Sequence, residues 1–534
     1  MLDVLIQGGW VADGTGNPTY PADVAIQGER IIDVGRLPQA TARRVIDATG
    51  KIVCPGFVDP NGHSDWTILS NPTGDSFIHQ GITSEIVGNC GNSFAPVSDV
   101  SRAFITARLR QHAYTGPVGW STFREYLDGV AAGRTSTNMA WMVGHNAVRY
   151  AAGVSTAACS EAQARTMEEY IREAMEAGAL GMSSGLEFEP GRLATTAELI
   201  RLATVAGKYD GYYTSHIRNR DEFLQEAVEE FLTITRESGT HGELLHLNVR
   251  FNTGAPRGGW QRAVDTLQTE RRAGLDVLTD TTPFTFGTGM MAGILPPRIF
   301  SEGIERAVEY LRDSSARRQL RTECDRYWRF ISAGEWERVR MEGSREYPQL
   351  NGKNFREIAQ LWGKDKWDCY FDILADAGHG MESIQVVGIL FTEEHLAEMI
   401  RHPLFSLSAD TWSSRVDGPL SEVTRFPLPY CGHMHYLTHH VRDRGTLRLE
   451  DCIRKLTSMP ATHFGLKGRG LLRPGSFADV VVFDYEALDD VSTLEHPVAY
   501  ARGVEQVLVN GVFTLDGGTH TGAQAGRMLL RDSF

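Results

Sequence analysis

Five side chains of the kinds that bind zinc stand at the ends of five predicted strands. They are His63 in NGHSDW, Cys90 in VGNCGNS, His216 in YYTSHIR, His246 in LLHLN and Asp410 in LSADTW. Each alone has an ordinary explanation as a free thiol, a rim histidine or a helix cap. Five together at the same end of separate strands indicate a divalent metal site. Two imidazoles and one thiolate hold Zn²⁺ with a fourth position open for water, whose pKa the ion lowers, and Asp410 is placed to act as general base.

The elements that must position these residues lie in the middle of the chain. Short apolar segments alternate there with helical patterns such as EAQARTMEEYIREAMEAG, which predicts βαβ units and a parallel sheet. Eight such segments predict a (β/α)₈ TIM-like barrel, an α/β fold whose catalytic residues lie at the carboxyl ends of the strands. The eight candidate strands are IVCPGFVD, TSEIVGN, MAWMVGH, ALGMSSG, YYTSHI, LLHLN, DVLTD and FSLSAD.

The two ends of the chain have a different pattern. Residues 1–56 and 470–534 contain short strands bounded by Gly, Asn and Asp, such as DVLIQGGWVAD and ADVVVFDYE. We expect both ends to form one small β-sandwich beside a hydrolase barrel at 57–469. More than a hundred residues separate DVLTD from FSLSAD, which is far longer than an ordinary loop. We therefore expect an inserted subdomain at about 288–385 near the barrel mouth.

Composition excludes several classes of protein. The 534 residues carry a net charge of -14, so neither nucleic acid nor an anionic membrane is expected as a partner. Seven scattered cysteines without a CxxC pair favour a reducing compartment, and the short apolar start, with an acid at position 3, is unlike a secretory leader. We expect a cytoplasmic protein with a small-molecule substrate, and homo-oligomerisation stays open.

Several motifs together resemble the D-aminoacylase (N-acyl-D-amino-acid deacylase) family of the amidohydrolase superfamily. The resemblance covers nearly the whole chain and includes PGFVDPNGHSDW, QGITSEIVGNCGNS, VGHNAVR, GALGMSSGLEFEPG, YYTSHIR, GLDVLTD and the distal RKLTSMPATHFGLKGRGLLRPGSFADVVVFD. The Cys of VGNCGNS is the sharpest marker, because this family uses Cys where related families use a carbamylated Lys. The resemblance implies a zinc hydrolase that cleaves an N-acyl amide bond.

The resemblance also assigns roles to individual residues. Asp410 matches the family's catalytic Asp, which also touches a second, weaker metal position, and His63 matches the second His of the family's HxH. Asn61 stands where the first His is usual, so we expect one tightly bound zinc and a doubtful second site. The sequence leaves open whether Asn61 is the natural residue, and whether it contacts the substrate or only turns the loop. The tightly held zinc is matched by Cys90, His216 and His246.

Substrate recognition departs from the family pattern. Asn248 stands where a Lys is usual, Thr282 and Phe284 stand where tyrosines are usual, and the usual HPR segment reads TRFPLPYCGHMHY. Charge-assisted pairs are worth roughly 1.5–3 kcal/mol each, so losing several removes most of the preference for a free carboxylate. We expect a non-standard N-acyl, carbamate or lactam substrate.

Further residues are candidates for substrate contact. Phe188 in GLEFEPG matches an aromatic of the family's acyl pocket, Arg218 in SHIRNR is a basic remnant, and His145 in VGHNAVR follows a strand; a plain core role is equally open for Phe188 and His145. His433 and His435 in CGHMHY are open to interpretation as an HxH strand that binds a second metal, or as a loop lining the pocket. Two alternatives to the hydrolase stay open: a catalytically impaired ligand-binding homologue, and a deaminase or lactonase of the same superfamily.

Overall fold

The computed structural model describes residues 1–300, 303–324, 327–342, 344 and 347–533. Eight strands form one parallel sheet in chain order, and every pair of neighbours in it is parallel. The strands before and within this sheet are β1 (Leu2–Val11), β2 (Tyr20–Gln27), β3 (Arg30–Gly35), β4 (Ala42–Asp47), β5 (Ile52–Pro55), β6 (Phe57–Asp59), β7 (Ile82–Val87), β8 (Asn138–Gly144), β9 (Gly181–Gly185), β10 (Tyr212–His216), β11 (His241–Leu244) and β12 (Val277–Thr281).

The later strands complete three sheets. They are β13 (Phe286–Met290), β14 (Val339–Met341), β15 (Gln385–Ile389), β16 (Phe405–Leu407), β17 (Val480–Phe483), β18 (Val504–Val509), β19 (Val512–Asp516) and β20 (Thr519–His520). The parallel sheet runs from β6 through β12 to β16 and is nearly closed, while β1–β5 and β17–β20 from the two chain ends share a nine-stranded sheet. The predicted fold class, a TIM-like barrel with a separate β-region built by both chain ends, is confirmed.

Helices follow most barrel strands and cover their outer side. The first set is α1 (Asp75–Ile78), α2 (Arg102–Gln111), α3 (Phe123–Gly133), α4 (His145–Ala151), α5 (Glu161–Ala177), α6 (Thr196–Gly207), α7 (Leu224–Ser238) and α8 (Gly259–Arg272). Helix α5 shows why such segments are helical: Ser160 and Gln163 form a capping box before it, and Gly178 ends it with a φ of 104°. Its apolar face buries Met167, Ile171 and Met175 against the barrel.

A segment between β12 and β16 forms the insertion. Strands β13, β15 and β14 make a small antiparallel sheet, with β15 in the centre. Its helices are α9 (Ile304–Arg312), α10 (Ser314–Glu323), α11 (Phe355–Trp362) and α12 (Lys366–Ala377). The exact domain boundaries stay predictions. Of the predicted ranges, residues 301, 302, 325, 326, 343, 345 and 346 in the insertion and Phe534 at the end of the chain lie outside the described residues.

The last helices are α13 (Glu393–Arg401), α14 (Gly418–Val423), α15 (Leu428–His435), a π-helix (Tyr436–Asp443), α16 (Leu449–Leu456) and α17 (Ser458–His463). The HxH of CGHMHY therefore lies on a helix, and both the strand and the loop interpretations of this segment were wrong. Two residues apart on a helix point to different sides. His433 is completely buried beside Phe57, at 6.0 Å between ring centroids, whereas His435 is only partly buried.

The predicted strand IVCPGFVD is in fact two strands. β5 pairs antiparallel with β17 in the outer sheet, and β6 begins the barrel two residues later. The break falls at Gly56, where a Cβ would come within 2.1 Å of the Thr83 side chain, so only glycine lets the chain pass this closely. Within the described residues, no helix is long and apolar enough to cross a membrane.

Candidate metal centre

Cys90, His216 and His246 converge at the carboxyl ends of the barrel strands. One ligand atom from each lies within 4.8 Å of the others, and all three residues are buried. The Cys90 Sγ lies 3.6 Å from the His246 Nε2. A tetrahedral zinc ion separates a sulfur and a nitrogen ligand by about 3.5 Å, given its usual bond lengths. The donor set and its spacing therefore fit zinc.

Three of the site residues adopt a left-handed backbone conformation. The φ angle is 52° at Cys90, 40° at His246 and 49° at Asp410, and each residue lies two or three positions beyond the end of a barrel strand. Such a conformation costs a residue with a Cβ roughly 1–2 kcal/mol. Strain of this kind collects at functional sites, where the surrounding structure holds it in place. Here it turns the side chains of Cys90, His246 and Asp410 toward the barrel mouth.

The protonation state of the cluster suits metal binding only after a proton leaves. Burial and then Asp410 raise the pKa of the Cys90 thiol well above its usual value. Burial lowers the pKa of His216 to about 4 and that of His246 well below the ordinary range, so both imidazoles are neutral. A metal ion that binds here must displace the thiol proton, as thiolate ligation requires.

Asp410 lies beside the cluster, between Asn61 and His63. Its Oδ1 lies 3.3 Å from the Asn61 Nδ2 and 3.3 Å from the His63 Nε2. One ligand atom each from His63, Cys90 and Asp410 also lies within 4.8 Å of the others. Asn61 is completely buried and donates to the carboxylates of Asp410 and Asp280, the latter at 3.4 Å. Asn61 therefore contacts the Asp410 carboxylate from inside the protein and does not line the cavity.

A buried ion-pair network supports the two histidines. Glu187 accepts from the His216 Nε2 at 2.7 Å and from Arg220 at 2.9 Å, and it also pairs with Arg250. Although burial opposes it, the two guanidinium groups hold the pKa of Glu187 well below its usual range. Arg220 also lies 3.0 Å from the His246 Nδ1. Since the Nε2 of His216 is held by a carboxylate, its Nδ1 is the nitrogen left for a metal.

The cluster opens into a cavity of about 250 Å³. Asn248, Thr282 and Phe188 line it, together with the metal-cluster residues, His63 and Asp410. Charged side chains, among them Arg108, Arg192, Glu187 and Glu189, line another part of it. The remaining walls are largely apolar or aromatic and come partly from the insertion. These walls are Trp66, Trp412, Met290, Tyr327 and Trp328.

Three residues singled out from the sequence lie elsewhere. The Arg218 guanidinium pairs with Glu230 of α7 at 2.9 Å and donates to the Ala194 carbonyl at 3.0 Å, which holds it outside this cavity. Arg218 lines a neighbouring cavity that shares Glu187 and Arg192 with this one, so substrate contact by Arg218 stays a prediction. His145 is completely buried, and its Nε2 lies 2.9 Å from Glu198. Phe284 stacks on His435 with ring centroids 4.1 Å apart and does not line the cavity.

The sequence reasoning missed Glu187, Arg220 and Arg250. Glu187 follows the end of β9 by two residues, so the strand-end argument that found Cys90 could have found it. Arg220 belongs to the same SHIRNR segment as Arg218, and only the fold shows which of the two reaches the cavity. Arg250 lies in LNVR with its side chain fully buried, and no local signal distinguishes it.

Comparison with known proteins also indicates a metal-dependent hydrolase. A family model described as the amidohydrolase family matches residues 44–515. An N-acyl-D-glutamate deacylase of Alcaligenes xylosoxydans xylosoxydans is 32% identical over 538 residues, covering 100% of this chain and 97% of that protein. A solved D-aminoacylase, studied for one-metal activation and second-metal attenuation of its binuclear centre, is 28% identical with a TM-score of 0.82, covering 99% and 100% of the two chains.

A second solved structure is that of an N-acyl-D-glutamate deacylase from Bordetella bronchiseptica in complex with zinc and a phosphonate mimic of the tetrahedral intermediate. It is 29% identical with a TM-score of 0.81, and the match covers 99% of each chain. The fold and the site define a metal-dependent hydrolase barrel. The chain belongs to the amidohydrolase family. The predicted resemblance to D-aminoacylases and the predicted enzyme class, an amidohydrolase acting on C–N bonds other than peptide bonds, are confirmed.

Proposed function

We propose that this chain hydrolyses an N-acyl amide, carbamate or lactam bond with one zinc ion held by Cys90, His216 and His246. The observation that carries this proposal is the convergence of these three donors beside Asp410 in a closed-over cavity. A zinc ion bound there supplies a Lewis acid and lowers the pKa of a water molecule.

The protein's own groups supply the proton transfer and the orientation. Asp410 is the partly exposed carboxylate at the cluster, so it accepts a proton from water and delivers it to the leaving nitrogen. His63 shares the Asp410 carboxylate and faces the cavity, where it orients the bond to be cleaved. Glu187 fixes the ring of His216 through its Nε2.

The charge balance of the cavity favours a substrate without a free carboxylate. Asn248 and Thr282 are neutral. Of the arginines that line the cavity, Arg220 pairs with Glu187 and Arg192 pairs with Glu189, while Arg108 lies over the Trp66 ring at 4.4 Å. A cation that already has a partner gains less from a second carboxylate than a free one does. The aromatic walls of the cavity suit an apolar acyl group.

The test compares substrates and one engineered charge. The zinc-loaded protein is assayed on N-acyl-D-amino acids with a free carboxylate and on their primary amides, carbamates and lactam analogues. We expect the neutral compounds to have the higher kcat/KM. Asn248→Lys should move the preference toward the free carboxylate by tenfold or more, since one charge-assisted pair is worth about 1.5–3 kcal/mol. Asn248→Met, of similar length without charge, is the control.

Two results would contradict this substrate class. One is faster hydrolysis of the free carboxylates by the unaltered protein, and the other is an equal shift in Asn248→Met. The ligand-binding alternative draws on two features of the sequence, Asn61 at the position of a family histidine and the loss of the family's carboxylate-binding residues. It predicts tight binding of these compounds with no product. Product analysis by mass also separates amide hydrolysis from deamination and lactone opening.

A further inference from the structure

A second group of histidines lies outside the cavity, where α15 passes into the π-helix. His435, His439 and His440 place one ring nitrogen each within 4.8 Å of the others. The rings of His435 and His439 are 4.6 Å apart, and that of His440 is 4.9 Å from His439. π-helical turns are rare and frequently mark functional sites. In this case the wider turn brings His440 to the same side as His435, five residues earlier, with ring centroids 5.4 Å apart.

Each of these imidazoles uses its other nitrogen for an oxygen partner. The His435 Nδ1 contacts Asp490, the His439 Nε2 lies 3.3 Å from Glu393, and the His440 Nε2 donates to the Pro283 carbonyl at 2.8 Å. Histidines that bind metals have this arrangement, because an oxygen acceptor on one nitrogen fixes the tautomer and leaves a lone pair on the other. The nitrogens left over are the His435 Nε2, the His439 Nδ1 and the His440 Nδ1.

The His440 Nδ1 is buried without a hydrogen-bond partner among the described residues. The whole His440 side chain is completely buried. A buried polar atom without a partner costs free energy unless something binds it. His433 is also buried with unpartnered nitrogens, but among the described residues it belongs to no group of three potential metal ligands, and its ring stacks against Phe57.

We propose that His435, His439 and His440 bind a divalent transition-metal ion of the zinc class at a second site, separate from the Cys90 cluster. Three imidazoles suit Zn²⁺, Co²⁺, Ni²⁺ or Cu²⁺ and leave a position open for water. Zinc-bound nitrogens lie about 3.3 Å apart, so the side chains must close in. The rings of His435 and His439 are stacked within 9° of parallel, so one of them must also turn to point its nitrogen at the ion. His435 and His439 are exposed by 16% and 31%, which leaves them room to turn. The ion would fix the backbone next to Thr282, because the His440 Nε2 donates to the carbonyl of Pro283, the residue that follows Thr282.

Cobalt titration of the full-length, untagged, metal-free protein tests the proposal. Cobalt is the probe because a thiolate ligand adds a charge-transfer band that a site made only of histidines lacks. We expect Cys90→Ala to lose this band yet still bind one equivalent of Co²⁺, and His439→Ala to keep the band and lose one equivalent. The double variant, with both Cys90 and His439 replaced by Ala, should bind cobalt at neither site. Unchanged melting temperatures without metal show that each variant is folded.

His241→Ala is the matched control. His241 is also half-exposed with two carboxylate partners, but it begins β11 at the opposite end of the barrel. It should bind the same amount of cobalt as the unaltered protein. The proposal is overturned if His439→Ala binds as much cobalt as the control. It is also overturned if Cys90→Ala saturates only near about 1 mM cobalt, where binding is worth about 4 kcal/mol and is adventitious.

Discussion

Replacing Asp410 by Asn tests the assigned chemistry with almost no change in shape. The residue has a φ of 49°, a left-handed conformation that Asn tolerates about as well as Asp. The amide oxygen can still accept from the Asn61 Nδ2, now 3.3 Å away. Asp410 is not one of the three residues of the Cys90 cluster. The variant therefore removes a proton acceptor and leaves the fold and the zinc ligands in place.

The size of the effect follows from that role. Losing a positioned general base lowers the rate by about 10²–10⁴-fold, which is about 3–5 kcal/mol in activation free energy. The free energy of unfolding should change by less than about 1 kcal/mol, because the side chain is 28% exposed and its carboxylate oxygens face only polar neighbours. The loss should appear in kcat, since a proton acceptor acts in the transition state.

The assay measures kcat and KM on the best substrate of the panel, with zinc content from elemental analysis and stability from thermal melting. Asp443→Asn, at an exposed position of the π-helix, is the control and should retain full activity. A kcat within threefold of the unaltered enzyme, at equal zinc content, would refute the role of Asp410. A loss of zinc in parallel with activity would instead show that this carboxylate is needed to hold the metal.

Three further substitutions test the rest of the centre. Asn61→His adds an imidazole next to Asp410 and should raise the metal content by one ion per chain under zinc excess; unchanged stoichiometry by elemental analysis argues against the effect assigned to Asn61. Cys90→Ala should remove zinc from the barrel site, and retention of a cobalt-thiolate band would contradict the ligand assignment. Glu187→Gln removes the negative charge that pairs with the buried guanidinium groups of Arg220 and Arg250. The free energy of unfolding measured with denaturant should therefore fall by about 3–5 kcal/mol, and an unchanged midpoint would contradict the network.

The positions of the barrel strands could be predicted from the sequence because each is a short apolar run between turn residues. The carboxyl ends of parallel strands share one edge, so His216 and Cys90 could be expected to meet without any knowledge of their side-chain geometry. The distance between Cys90 and His246 could not be predicted. It depends on left-handed φ angles beyond the strands, and non-glycine residues adopt these only under tertiary constraint.

Local periodicity gave a wrong prediction where the same sequence pattern fits both a strand and a helix. CGHMHY alternates in the way a strand does, but Pro427 and Pro429 at the start of α15 favour a helix. The choice between Arg218 and Arg220 depended on where Glu230 lies on α7, a contact between distant parts of the chain. Patterns within a segment carry no information about such partners.

At Asp410, the conformational cost of the left-handed backbone and the proposed role in proton transfer belong to the same residue. Glycine would relieve a conformational cost of roughly 1 kcal/mol there, although it also gives the unfolded chain more freedom, which offsets much of that gain. A laboratory selection for heat resistance alone would therefore put little pressure on the Asp410 carboxylate and would let through stable proteins that lack the proposed proton acceptor. Any thermostabilisation of this enzyme must keep this codon fixed or select for catalysis at the same time.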